Sequence, residues 1–272
     1  MISFVSDKQR KLSKIALIKC EGLSFSALQK LLRNKDVKVN GKRINTDVNL
    51  NVGDVVELYY TPIKADAFSV VFADSNVLVI NKKKGFTSES VYQRVLEQYN
   101  SAGFIHRLDR NTDGIMIFSL NSESEKELLL GFKNHTFEKE YLATVYGVMD
   151  KNSDVLTAYL LKDSDTSTVK IFDKKMKGAV EIKTGYEVIR RYKDSTLLRV
   201  KLYTGKTHQI RAHFAHIGHF VLGDGKYGNN SINDAKGIKK QMLQSNSLTL
   251  HFDKRSPLYY LDGKTFSIKG EM

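Results

Sequence analysis

Residues 103–120 read GFIHRLDRNTDGIMIFSL, a loop of charged side chains followed at once by an apolar run. The apolar run at residues 115–118 predicts a buried strand. Asp109 lies in the loop, with Arg107 and Arg110 on either side. A lone loop carboxylate is usually a surface acid paired with a neighbouring arginine. Because loops held by rigid strands often carry chemistry, we expect Asp109 to be functional instead.

The composition is that of a globular protein. A chain of 272 residues with 41% apolar side chains can bury a core and form one large domain or two. Its one cysteine, Cys20, excludes an intrachain disulfide and a cysteine-based zinc site. No apolar run approaches the roughly 20 residues of a membrane span, and residues 1–20 lack a signal-like apolar core. We therefore expect a cytoplasmic protein with no membrane partner.

The charge balance favours a polyanionic partner. The net charge is +13, and the sequence pI is about 9.5. Residues 1–60 carry 11 basic and 6 acidic side chains, so the density of positive charge is highest at the N-terminus. A basic surface binds nucleic acid through phosphate contacts and counterion release.

The N-terminal segment predicts two short helices and a hairpin. Helical spacing of apolar residues predicts an amphipathic helix over residues 8–20, ended by Gly22, and a second helix with Ser24 as its N-cap. The second helix is expected to bury a face comprising Phe25, Leu28, Leu31 and Leu32. Asn40-Gly41 then predicts a two-residue hairpin turn, and residues 55–60 predict a further strand.

Residues 61–69 lose this periodicity and contain Pro62, which predicts two domains, 1–62 and 63–272. The second domain is expected to contain short strands before residue 81, a helix over 88–99 and several alternating strands towards its C-terminus. A further helix follows the buried strand, with Ser122 as its cap and with Leu128, Leu129 and Phe132 facing inward.

A second dense motif, residues 202–228, reads LYTGKTHQIRAHFAHIGHFVLGDGKYG. It contains four imidazoles, those of His208, His213, His216 and His219. Their spacing lacks the H-E-x-x-H arrangement, and no nearby carboxylate is a clear general base. We interpret them as structural histidines and predict no metal site.

Three motifs resemble those of the Rlu-type pseudouridine synthases, which isomerise uridines in ribosomal and transfer RNA. HRLDRNTDG resembles the family's H-R-L-D-x-x-T-x-G, and Lys139-Glu140-Tyr141 resembles its K-x-Y. Residues 204–228 resemble its T-G-R-T-H-Q-I-R-x-H and the G-D-x-x-Y-G that follows. The motifs occur in the family's order. This sequence has Asp113, Lys83 and Lys206 where the family usually has Ser, Pro and Arg.

The N-terminal pattern of two helices and a basic hairpin resembles the S4 RNA-binding domain. An ordinary solvated basic face is the alternative interpretation. The resemblance implies contacts that position the protein on phosphates without specifying sequence. The side chains implied are Lys30, Arg33, Lys35, Lys38, Lys42 and Arg43.

Together the two resemblances imply an α+β protein, with an S4-like module before a synthase domain built on a mixed, largely antiparallel sheet flanked by helices. Asp109 is implied to be the nucleophile, and Arg211 to form a salt bridge with it. Tyr141, which alone reads as a half-buried core tyrosine, is implied to line the base pocket and to act as, or orient, the base. Arg107 is implied to fill the gap left by a flipped uridine.

The function implied is conversion of uridine to pseudouridine in structured RNA, with large-subunit ribosomal RNA as the expected substrate. We expect no cofactor, no nucleotide cofactor and a monomer. Three alternatives remain open: transfer RNA as the substrate, an inert ribosome-associated RNA-binding protein, and a metal-dependent hydrolase.

Overall fold

The computed structural model describes residues 1–20, 23, 25–59, 66–163 and 168–268. The chain divides into two compact units, Met1–Asp66 and Ala67–Met272. The predicted boundary between residues 62 and 63 lies outside the described residues, as do Gly22 and Ser24. A membrane-spanning helix is not found in the described part of the chain.

The smaller unit has two helices and short antiparallel strands. Strand β6 pairs with β1 and β3, and β4 pairs with β3, while β2 and β5 form a separate pair. In chain order the elements are β1 (Ile2–Val5), β2 (Arg10–Lys11), α1 (Leu12–Lys19), α2 (Phe25–Arg33), β3 (Val37–Val39), β4 (Lys42–Ile44), β5 (Asn49–Leu50) and β6 (Val55–Leu58).

Helix α1 begins at Leu12, later than predicted, because Arg10 and Lys11 pair with β5 as a strand. The carboxylate of Asp47 accepts hydrogen bonds from the backbone N–H and the hydroxyl of Ser13, at 2.9 and 2.7 Å. A carboxylate at this position stabilises the positive end of the helix dipole.

Helix α2 follows the prediction except at its first residue. Leu28 and Leu32 are buried in the core of the unit, whereas Phe25 is 53% exposed, so the prediction that Phe25 faces inward is wrong. A helical side chain covers the turn that precedes its own Cα, and the first residue of a helix has no such turn. Between β3 and β4, Asn40 and Gly41 have φ values of 50° and 78°, which confirms the predicted turn.

The larger unit is built on one 11-stranded sheet. The strand order is β13-β12-β14-β15-β11-β16-β10-β8-β7, with β17 paired to β16 and β9 to β10. The strands are β7 (Phe68–Ala73), β8 (Val77–Lys82), β9 (Gly103–Phe104), β10 (Asp113–Ser119), β11 (Glu138–Tyr146), β12 (Ser153–Asp163), β13 (Thr168–Phe172), β14 (Val180–Arg191), β15 (Ser195–Leu202), β16 (Leu243–Thr249) and β17 (Thr265–Ser267). Strands β10 and β16 pair in parallel and the other named pairs are antiparallel, which confirms the mixed sheet.

Helices flank this sheet as predicted, with differences at their ends. They are α3 (Ser88–Leu96), α4 (Ser122–Lys133), α5 (Gln209–His216) and α6 (Asn230–Ala235), with a 3₁₀ turn at Tyr259–Leu261. The cap of α4 is Asn121, not Ser122, because the Asn121 side chain accepts the N–H of Ser124. Leu128 is buried, but Leu129 is 43% exposed and was wrongly predicted to face inward. Successive helical residues point about 100° apart, so Leu129 cannot share the direction of Leu128.

Strands β8 and β10 are buried on both faces. Alternate residues of each strand enter different core clusters, Val77, Val79, Ile115 and Ile117 in one, and Leu78, Ile80, Met116 and Phe118 in the other. This confirms the predicted buried strand. The loop that carries Asp109 therefore leads into a strand that is close-packed on both faces.

Gly114 allows β10 to start beside β16. Its φ is +122°, and a Cβ atom there would collide with the backbone of Ser245. Strand β16 in turn pairs with β11, where Tyr141 lies opposite Ser245. The start of β10 and the residue Tyr141 are thus brought to the same region of the sheet.

Candidate active site

The loop before β10 is fixed on both sides of Asp109. On one side, the Ser88 hydroxyl exchanges two hydrogen bonds with the backbone of Leu108, each 2.9 Å long. On the other, the backbone carbonyl of Arg110 accepts from the Gly85 N–H at 2.9 Å, and the Arg110 Nε donates to the Gly85 carbonyl at 2.9 Å. Asp109 is therefore held between two anchored residues.

Lys82 ties the same loop to β8. Its side chain is fully buried, and its Nζ donates to the carbonyl oxygens of Lys83, Phe86 and Arg110 at 3.2, 2.9 and 3.2 Å. Burial lowers the pKa of Lys82 to about 8. The backbone N–H of Lys83, at the position of the family's proline, donates to the Ala67 carbonyl at 2.8 Å, a bond that proline cannot form.

Arg211 joins two carboxylates. Its Nη1 donates to Asp109 Oδ2 at 2.7 Å, while its Nε and Nη2 donate to Asp224 Oδ2 and Oδ1 at 2.6 and 3.0 Å. Asp224 is fully buried, and its Oδ1 also accepts the backbone N–H groups of Lys226 and Tyr227 at 2.8 and 3.1 Å. The guanidinium is thus oriented by Asp224 and directs one N–H at Asp109.

Opposite charges stabilise the ionised forms of Arg211 and Asp224 although both side chains are buried. Burial alone would raise the pKa of Asp224, but the hydrogen bonds and charge of Arg211, with the two backbone N–H groups, hold that pKa below its usual value. Burial opposes the charge on Arg211 as well, yet Asp224 and Asp109 raise the pKa of Arg211 above its ordinary value. Two carboxylates and one guanidinium leave one net negative charge on the group.

Tyr141 adjoins the same carboxylate from β11. Burial raises the pKa of its phenol to about 12; contact with Ser245 opposes the shift and the charge of Asp109 adds to it. The phenol is therefore neutral at physiological pH. It can donate a hydrogen bond or present its ring to a planar ligand.

Asp109, Tyr141, Arg211 and Arg107 line one cavity of about 270 Å³. The four residues come from three places in the sequence, the loop before β10, strand β11 and helix α5, and the fold brings them together. Arg107 is the most exposed of them, with 66% of its side chain accessible and its Nη1 3.3 Å from Glu89 Oε1. A second cavity of about 390 Å³ shares Arg107, Asp109 and Arg211 with the first.

The six predicted phosphate contacts belong to the smaller unit. Lys30 and Arg33 are on α2, Lys35 follows it, and the others are on the hairpin of β3 and β4. All are exposed except Lys38, which is partly buried. Lys38 Nζ and Arg43 Cζ lie 5.2 and 5.5 Å from the centre of the Tyr59 ring, which adds an aromatic side chain to the basic surface.

Sequence reasoning missed two cationic residues and the role of one acid. Lys139 lines the first cavity, its Nζ is 5.8 Å from the centre of the Phe132 ring, and burial lowers its pKa. Lys139 is part of the K-x-Y motif, but its place in the sequence does not show that its side chain lines a cavity. Asp224 likewise falls within the G-D-x-x-Y-G motif with no role assigned to it, and no role is predicted for Lys82 from the sequence.

The four histidines of residues 208–219 do not share one environment. His213 contacts Thr184 at 3.0 Å, His216 contacts Asp173 at 2.8 Å, and His219 contacts the Tyr146 carbonyl at 2.9 Å. His208 differs, since it faces Asp109. No group of three potential metal ligands occurs among the residues that the structure describes.

The comparison with protein families decides the class of the larger unit. The sequence profile of the RNA pseudouridylate synthase family matches residues 76–216, just over half of the chain. The chain belongs to this family. It is therefore an RNA pseudouridine synthase, an isomerase, as the motif resemblance predicted.

Relatives cover most of this synthase. The ribosomal large subunit pseudouridine synthase D of Blochmanniella floridana is 31% identical over 262 residues, which are 86% of this chain and 79% of the relative. The ribosomal large subunit pseudouridine synthase C of Buchnera aphidicola subsp. Baizongia pistaciae is 28% identical over 262 residues, 86% of this chain and 83% of the relative. The solved structure of human RNA pseudouridylate synthase domain containing 1 shares the fold, with a TM-score of 0.61, 24% identity, and coverage of 70% of this chain and 80% of that one.

The Lys82 contacts predict a large effect on turnover of this synthase. In Lys82→Met the loop loses its tether to three carbonyl groups, and a shift of about 1 Å at Asp109 should lower kcat by about a hundredfold. Lys83→Met makes the same change at an exposed position and keeps the backbone bond, so its kcat should stay within about twofold of wild type. Circular dichroism and thermal unfolding would verify that both variants are folded. Equal kcat values for the two folded variants would show that Lys82 does not position the loop.

Proposed function

We propose that this synthase converts uridine to pseudouridine in a structured RNA, with Asp109 as nucleophile and large-subunit ribosomal RNA as substrate. The observation that carries the proposal is the contact of Asp109 with Arg211 inside a cavity. The substrate is inferred from two relatives that are named ribosomal large subunit pseudouridine synthases. Transfer RNA is the alternative substrate.

The reaction needs few protein groups. The bond from ribose C1′ to base N1 breaks, the uracil turns, and a bond from C1′ to C5 forms, while the proton on C5 is lost and N1 gains one. No electrons enter or leave, so no cofactor is required. Asp109 can attack the sugar, attack the base, or assist elimination, and each route needs an ionised carboxylate next to the substrate.

The electrostatics of the site support an ionised Asp109 that keeps its reactivity. A cation in contact favours the charged form of a buried acid. The charge of Arg211 is shared with Asp224, at distances of 2.6 and 3.0 Å, so it does not fully neutralise Asp109. The oxygen Oδ1 of Asp109 is not bonded to Arg211 and is the one available for attack.

We assign Tyr141 to binding and orientation of the uracil. A phenol whose pKa is raised to about 12 is a poor base at neutral pH. Its ring lines the cavity that holds Asp109 and can stack on the base. In this role the ring of Tyr141 keeps the detached uracil stacked inside the cavity after the glycosidic bond breaks.

The target uridine must leave its stack to reach this cavity, at a cost of about a few kcal/mol. Arg107 is the candidate to fill the vacated position. It is at the border of both cavities, and its exposed guanidinium can stack on the neighbouring bases. The Glu89 contact is exposed and weak enough to be exchanged for RNA.

The smaller unit is proposed to be an S4-like RNA-binding module. Its two helices and basic hairpin, with Lys38 and Arg43 against Tyr59, present cations beside an aromatic ring. Such a surface binds phosphates and increases residence on a large RNA without reading sequence. The intact Asp109–Arg211 contact speaks against an inert RNA-binding protein.

Asp109→Asn tests the nucleophile. The amide is isosteric but not nucleophilic, so pseudouridine formation should fall by about ten-thousandfold or more. RNA affinity should be unchanged or slightly higher, because a negative charge facing the RNA is removed. Chemical mapping of pseudouridine and a filter-binding assay give the two readouts. Asp253→Asn, at an exposed carboxylate, is the matched control, and activity of Asp109→Asn near that control would refute the mechanism.

Two further variants separate base flipping from phosphate binding. Arg107→Ala should lower turnover of a paired uridine about tenfold more than that of an unpaired oligonucleotide, because the extra cost is that of unstacking. Replacing Lys38 and Arg43 by serine should lower affinity for both RNAs, and the slope of log K against log salt should fall in magnitude by about 2. Each variant is the control for the other. Equal losses of Arg107→Ala on both substrates, or an unchanged salt slope, would refute the corresponding role.

A further inference from the structure

His208 occupies an unusual position at the start of α5. Its backbone has φ 55° and ψ 16°, in the left-handed region that only a few per cent of residues other than glycine adopt. The turn before it is held by the Gln209 side chain, whose Oε1 accepts from the Thr204 hydroxyl at 2.9 Å and from the Lys206 N–H at 3.1 Å. Such a conformation persists only where the surrounding structure holds it, and it occurs often at functional sites.

The imidazole lies between a tyrosine and the proposed nucleophile. His208 Nδ1 is 2.8 Å from the Tyr227 hydroxyl, and its Nε2 is 3.8 Å from Asp109 Oδ1. The other oxygen of Asp109, Oδ2, is the one bonded to Arg211. The two oxygens of the carboxylate therefore face two different side chains of the same segment.

The hydrogen-bond network assigns the tautomer. The Tyr227 hydroxyl oxygen accepts the backbone N–H of Val169 at 2.9 Å and can still either donate to His208 Nδ1 or accept from it. The other ring nitrogen decides, because Nε2 faces the Asp109 carboxylate, which can only accept. Nδ1 is then an acceptor, and the ring proton is on Nε2, directed at Asp109.

Burial is the main reason why the His208 ring stays neutral. Burial lowers the pKa of His208, and Arg211 and Lys226 lower it further, while Asp109 and Asp224 oppose the shift. A neutral imidazole with its proton on Nε2 has one donor, and that donor faces the carboxylate.

We propose that His208 is a positioning residue, whose Nε2–H holds Oδ1 of Asp109 while Arg211 holds Oδ2. The inference rests on the proposed function of Asp109. The distance of 3.8 Å is longer than a hydrogen bond, and a small rotation of either side chain closes it. Hydrogen bonds of this kind are often long before the substrate binds and shorten in the complex. The carboxylate is then fixed from both sides and its reactive oxygen cannot rotate away from the uridine.

Two substitutions at His208 separate this role from a structural one. Asparagine is the residue after glycine that best tolerates a left-handed backbone, but its side chain is too short to reach Asp109. Glutamine tolerates that backbone less well, yet its amide nitrogen can occupy the position of Nε2. If positioning matters, His208→Asn should lower kcat by about tenfold or more with KM for RNA unchanged, and His208→Gln should recover most of the kcat. A purely structural role predicts the opposite order.

Tyr227→Phe tests the tautomer. The variant keeps the ring that lies 5.2 Å from the Arg211 guanidinium but removes the hydroxyl. Without that hydroxyl, the ring proton is shared between Nδ1 and Nε2, so kcat should fall less than in His208→Asn.

The assays are multiple-turnover pseudouridine formation over a range of concentrations of one RNA, which gives kcat and KM, and thermal unfolding of each variant. Equal kcat values for the folded Asn and Gln variants, or a His208→Asn variant in which KM for RNA rises and kcat does not fall, would overturn the positioning role. Asp109→Asn, measured alongside, separates the two claims. If it is inactive and the His208 variants are fully active, the nucleophile stands and only the positioning role is refuted; if it is active, both fail.

Discussion

The site depends on the buried ion pair between Arg211 and Asp224. Burying a charge is costly unless it is paired and hydrogen-bonded, and here both Asp224 oxygens accept from the guanidinium while two backbone N–H groups satisfy the carboxylate further. The fork geometry leaves the Nη1 of Arg211 to point in one direction only. That direction is Asp109, 2.7 Å away, so the orientation of the proposed nucleophile is determined by an acid that does not touch it.

The loop that carries Asp109 is fixed separately, by contacts of its neighbouring residues. Asp109 lies between Leu108, bonded to Ser88, and Arg110, whose carbonyl accepts from the fully buried Lys82. The loop then enters β10, which is packed on both faces. Because loop and guanidinium are each fixed independently, their contact needs little reorganisation when RNA binds. Such preorganisation is the main way in which a protein stabilises developing charge.

The local elements of the fold could be predicted from the sequence, whereas contacts between distant residues could not. The apolar run of β10 and the Asn40-Gly41 turn follow from short-range rules, and the structure confirms both. The exposure of Phe25 follows from its place as the first residue of α2, and the spacing of apolar residues does not show where a helix begins. The exposure of Leu129 follows from helix periodicity itself, because Leu129 points about 100° away from Leu128. The Asp109–Arg211 contact joins residues 102 positions apart, so only the family resemblance could predict it. The left-handed backbone of His208 and the direction of its ring have no signal in the sequence.

The most direct measurement of the central claim is the single-turnover rate of Asp224→Asn. The amide has nearly the same volume as the carboxylate, and its oxygen can still accept the backbone N–H groups. Its NH2 group, however, would face an N–H group of Arg211, and two donors cannot form a hydrogen bond. The guanidinium would therefore lose its orientation. The rate of pseudouridine formation should fall by about a hundredfold, with RNA affinity unchanged. A folded Asp224→Asn protein with a rate within about twofold of wild type would contradict the account.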